Sequence, residues 1–99
     1  MIGIKWQDED HQVLAEYAGP PLPYDFSDLA GATSACLRFI DPWGDTYFNQ
    51  VQLPVLLQEL ETATLDAKDP QQQTALRAVS RFVEQARDQI HTYVCFVGE

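Results

Sequence analysis

Cys36-Leu37-Arg38-Phe39-Ile40-Asp41-Pro42-Trp43-Gly44-Asp45-Thr46-Tyr47-Phe48-Asn49 carries the strongest local folding signal in the chain. Asp41-Pro42-Trp43-Gly44 has the composition of a type I turn. The Asp41 side chain can hydrogen-bond the turn backbone, Pro42 pre-sets φ, and Gly44 is suited to a left-handed residue after it. Both flanks are rich in β-formers. The stretch therefore predicts a hairpin with strands at 34–40 and 46–49 and a bulge at Gly44. In that register Leu37 and Phe39 share one face, and Cys36, Arg38 and Ile40 the other.

Upstream, Ile2, Ile4 and Trp6 alternate with Gly3 and Lys5, the pattern of a strand with one buried face. Gln7-Asp8-Glu9-Asp10 breaks that pattern as a polar turn. Residues 12–17 resume period two through Val13, Ala15 and Tyr17, which predicts a second strand paired with the first. Gly19-Pro20-Pro21-Leu22-Pro23 forbids a helix or a central strand, since three prolines remove donors and fix φ. The 19–33 segment reads as an ordered crossing loop that tucks Tyr24, Phe26 and Leu29 beneath it, with one helical turn at 25–29.

Downstream, Leu53, Leu56, Leu57 and Leu60 stand at i, i+3, i+4 and i+7, with Pro54 at a first-turn position. They predict an amphipathic helix ending near Thr64. Asp69-Pro70 restarts the chain as N-cap and first helical residue. Leu76, Val79, Phe82, Val83, Ala86 and Ile90 then keep helical spacing for more than three turns. Thr92-Tyr93-Val94-Cys95-Phe96-Val97 is apolar on both faces, which places it inside a sheet, beside the hairpin. The order β-β-β-β-α-α-β predicts a single α+β domain over residues 1–99. It is a two-layer sandwich, a mainly antiparallel sheet with two helices packed on one face.

Charge bounds the function. Fifteen acids oppose six bases for a formal charge of −9, and all of the excess lies in residues 1–69, with twelve acids and three bases. Residues 70–99 hold three of each. Such a field repels nucleic acid and anionic membranes and attracts a basic protein or a cationic small molecule. At 45% hydrophobic residues the chain can build a core without disulfides or metal. Cys36 and Cys95 lie among apolar neighbours with no flanking lysine or helix N-terminus, and read as packed, reduced thiols. With no secretion signal and no apolar run of the ~18 residues that a membrane span needs, the expected location is cytoplasmic.

No phosphate loop, nucleophile elbow or cofactor motif is present, so no cofactor is expected. Asp8-Glu9-Asp10-His11 is the one tight group of potential metal ligands, but it lacks the glycine and distal glutamate of a calcium loop, and a solvated turn is the better reading. His91 is placed at the C-terminal end of the second helix, where its charge would complement the dipole. Arg38 reads as a cross-strand partner or a cap on aromatic rings.

The leading expectation is a small acidic non-enzymatic protein of the immunity or inhibitor kind. It would dock a basic protein through Asp8, Glu9, Asp10, Asp25 and Asp28, with Trp43, Arg38 and Tyr47 contributing. The alternative is a pocket for a cationic amphipathic molecule, lined by Trp6, Tyr24, Phe26, Trp43 and Tyr47. An enzyme using Asp8-Glu9-Asp10-His11 ranks third. Homo-oligomerisation is left open by the sequence.

Overall fold

The computed structural model describes residues 2–21 and 34–98. The expected crossing loop, with Tyr24, Asp25, Phe26, Asp28 and Leu29, lies outside them apart from its ends. Four strands, β1 (Ile2–Asp8), β2 (Val13–Glu16), β3 (Asp45–Phe48) and β4 (Thr92–Gly98), form one antiparallel sheet in the order β2-β1-β4-β3. Helices α1 (Leu53–Asp66) and α2 (Pro70–Glu84) fall between β3 and β4 in sequence. The α+β sandwich is thus as expected, and β4, apolar on both faces, takes the interior position beside β3.

Both helices cover the face that carries Ile4, Phe48, Val94 and Phe96. Those residues share one core cluster with Leu53, Leu56, Leu60, Leu76, Val79 and Val83. Phe48 and Phe96 meet edge to face at 5.7 Å and 84°, a favoured geometry for aromatic quadrupoles. Each fully buried aliphatic chain here contributes roughly 1.5–3 kcal/mol through area removed from water.

Local signals explain the helix limits. Asn49 and Gln52 bond reciprocally, each amide oxygen accepting from the other's backbone N–H at 2.9 and 3.1 Å, which satisfies donors that α1 leaves orphaned. Asp69 caps α2 by accepting from Gln71 N at 3.0 Å. Gln73 Nε2 reaches back to donate to Ala67 O at 2.7 Å, closing the end of α1.

Three expectations are corrected. Residues 34–40 are no strand, because Leu37–Phe39 is a 3-10 turn. The Glu59 carboxylate on α1 accepts the backbone N–H groups of Ala35, Cys36 and Leu37 at 2.8, 3.1 and 2.9 Å. Donors that a strand would need a neighbour to satisfy are gathered by one side chain. Cys36, Leu37 and Ile40 are the buried members of the segment, and i, i+1, i+4 is helical spacing rather than strand spacing.

The Asp41 turn itself exists, with Asp41 Oδ1 accepting from Trp43 N at 2.9 Å. Gly44, however, has no positive φ, so no left-handed bulge forms there. The glycine that the turn requires is Gly98, which donates to Gly44 O at 2.8 Å and lies so close to the Asp41-Pro42 peptide that a Cβ would overlap it.

Finally, α2 stops at Glu84 instead of continuing to Ile90, which is 66% exposed. His91 therefore sits beyond the helix, immediately before β4, at φ 59°.

Candidate interaction site at the acidic end of the sheet

Asp8 pairs with Thr92 at one end of the β1/β4 ladder, while Ile2 pairs with Gly98 at the other, a span of ~20 Å at the strand rise. At the Asp8 end the chain reverses in five residues. Asp8 Oδ1 accepts from Asp10 N and from Gln12 N, each at 2.9 Å, and His11 adopts φ 63°. The Asp8 carboxylate is therefore spent on backbone donors. Its neighbours Glu9 and Asp10 are left exposed at the tip.

The tip leans over the sheet face opposite the helices. His11 lies edge-on to Tyr47 of β3 at a centroid distance of 5.8 Å. Cross-strand pairing puts Gln7, Tyr93, Cys95 and Tyr47 on that face, and Gln7 and Cys95 are buried there. Burial raises the Cys95 thiol above its ordinary value, with the Asp45 charge adding to the effect. Tyr47 is raised first by the charge of Cys95 and then by desolvation.

Beside the tip, His91 Nδ1 stands 3.3 Å from Glu9 Oε2. His91 also lines a recess of about 400 Å³ with Asn49, Gln50, Val51, Ile90, Thr92 and Tyr93. Val51 is 84% exposed. The end of the sheet thus joins exposed aliphatic surface to exposed carboxylates. Fold topology brings His11 and His91, eighty positions apart, to the same end.

The sequence-predicted residues divide. Asp8, Glu9 and Asp10 lie here, with Tyr47 reached through His11. Trp43, 80% exposed, stands on the Asp41 turn at the opposite end. Arg38 rides on the 3-10 turn with its guanidinium carbon 4.7 Å from the centre of the Phe39 ring, so it caps an aromatic ring. Asp25 and Asp28 fall outside the described residues. Trp6 faces the helices and packs against the core, whereas Tyr47 faces away from them. Trp6, Trp43 and Tyr47 therefore line no common pocket.

Val51, Ile90, His91 and Tyr93 were missed by sequence reasoning. The spacing puts Ile90 in the helical stripe and His91 at the helix end, and only the end of α2 at Glu84 frees them. Among the described residues no group of three or more His, Cys, Asp or Glu side chains could hold a metal ion, and no helix is long and apolar enough to cross a membrane. Comparison with protein-family models, curated proteins and solved structures gives no significant match.

Proposed function

We propose that the protein is a non-catalytic binding module of the immunity or inhibitor kind, working in the cytoplasm, whose acidic sheet end docks a basic protein. The observation that carries the reading is the recess of about 400 Å³ bounded by exposed Val51 and Ile90, next to Glu9 and its neighbour Asp10. Arginine and lysine bury an aliphatic stem while keeping the charged head polar. A stem laid on Val51 and Ile90 would bring its head towards the carboxylate of Glu9. The −9 charge of the chain steers a cationic partner towards this end.

The test is affinity capture from the native host at about 50 mM and about 500 mM salt, across which the Debye length contracts severalfold. Each captured protein is identified and then re-bound in purified form. A basic protein lost at high salt, and lost again with Glu9→Gln/Asp10→Asn or with Ile90→Ser, supports the reading. A nucleic acid or acidic partner, or binding indifferent to salt and to these variants, overturns it. Recovery of the native chain outside the cytoplasmic fraction would remove the cytoplasmic part alone.

A further inference from the structure

The helix layer carries a second surface of different character. On its outer side α1 and α2 bound a groove of about 680 Å³, lined by Leu57, Glu61 and Leu65 from α1 and by Arg77, Ser80 and Arg81 from α2, among others. These positions form a second helical stripe on each helix, flanking the stripe that enters the core, with Leu57 packed against that core at its edge. Three of the six bases in the chain, Arg77, Arg81 and Arg87, lie along it.

Among the described residues the charges there are incompletely paired. Arg87 is engaged with Glu84 at 3.0 Å. Among the described residues Arg81 reaches the Arg77 carbonyl at 3.5 Å, no carboxylate forms an ion pair within 4.0 Å of Arg77 or Arg81, and no base forms one with Glu61. Like charges at i and i+4 weaken an isolated helix, so the helix alone has no use for Arg77 beside Arg81. The Ser80 hydroxyl is buried in the groove wall without a hydrogen-bond partner, and Leu65 is 74% exposed.

We propose that this groove is the interface of a twofold homodimer. An acidic partner would meet Glu61 and Glu84 there, and a basic one would meet three arginines. A second copy brings the same mixed set, and a twofold axis running along the groove lays α1 of each copy on α2 of the other. The two helices are antiparallel across a three-residue link (67–69), which sets Glu61 within about one turn of Arg77. That axis therefore carries Glu61 of the second copy over Arg77 and Arg81, and the reverse, as an isologous contact requires. Leu57 and Leu65 meet the arginine stems. Two −9 chains also meet little repulsion here, since the groove lining sets Glu61 and Glu84 against three arginines. The acidic sheet ends stay free on the outer sides, so the dimer does not depend on the binding role proposed for them.

Sedimentation equilibrium of the full chain across the micromolar range, with circular dichroism to confirm folding, is the test. A concentration-dependent dimer is expected. Arg77→Glu/Arg81→Glu, or Glu61→Arg alone, should raise the dissociation constant at least about tenfold. An equimolar mixture of those two variants should recover association, because the charges are again opposed. A parent chain that stays monomeric up to millimolar concentration overturns the proposal even if the variants fold poorly. A dimer unchanged by both reversals, or a mixture that fails to associate, overturns it equally.

Discussion

At the scale of single residues, the side chain that shapes most backbone is Glu59. Its two oxygens hold three consecutive N–H donors, so removing its charge weakens three bonds together. We expect Glu59→Gln to lower stability by about 1–3 kcal/mol, read as a fall in the urea midpoint with an unchanged slope. An unaltered midpoint would mean that the 3-10 turn is held by the burial of Leu37 and Ile40 alone. The two turn glycines should separate cleanly. Gly98→Ala forces a methyl into the Asp41-Pro42 peptide and should cost roughly 1–3 kcal/mol. Gly44→Ala meets only the Asp41 carboxylate, 2.8 Å away, which can turn aside at smaller cost.

The thiols give a pH dependence with a definite sign. Cys36 is raised by burial and then by the Glu59 charge, and Cys95 by burial and then by Asp45, both from 9.0. The unfolded chain therefore ionises first. The stabilisation is complete below 9.0 and is lost as pH climbs through the higher folded values. Urea midpoints should fall on going from neutral to about pH 10. Replacing both cysteines by alanine should flatten part of that fall, while Tyr17, half-buried, and Tyr47, both raised in the same direction, keep the rest. Native alkylation at neutral pH should be slow, because the thiolate is the reactive form.

At the scale of elements, legibility followed how local the deciding interaction is. The strands at Ile2, Val13 and Thr92 and both helix starts are written in periodicity and caps, and the structure keeps them. The segment at 34–40 is apolar at 36, 37, 39 and 40, which suits either period. The choice is made by Glu59, more than twenty positions away and off the stripe of its own helix. The end of α2 was misjudged because Ile90 continued the spacing by coincidence. The same elements rank the core. Phe96, fully buried in β4 against Phe48, should cost about 3–5 kcal/mol on change to alanine. Phe82 is half-buried and edge-on to Tyr17 at 5.9 Å, so Phe82→Ala should cost clearly less. Equal chemical-denaturation losses would contradict the order of burial.

At the scale of the whole molecule, the fold gathers exposed carboxylates at one end of the sheet, an arrangement that no single motif announces. Composition revealed the excess of acid in residues 1–69. It could not reveal that Glu9 would meet His91 at the rim of the recess that Val51 and Ile90 line, since strands distant in sequence must pair before those residues meet. If these acids serve binding, they should be a burden on the free protein. Asp8, Glu9 and Asp10 are consecutive in a chain of charge −9, and only the first is spent on holding the turn. Self-repulsion opposes the compact state. The contact between Glu9 and His91 joins two exposed groups, and such pairs contribute little. Glu9→Gln/Asp10→Asn should therefore raise the thermal midpoint at low salt by roughly 1–3 °C. The gain should vanish at about 0.5 M salt, where the Debye length is far shorter than at physiological strength. A lower midpoint at both salt concentrations would make the two carboxylates part of the architecture of the turn and leave the acidic end without its argument for a basic partner.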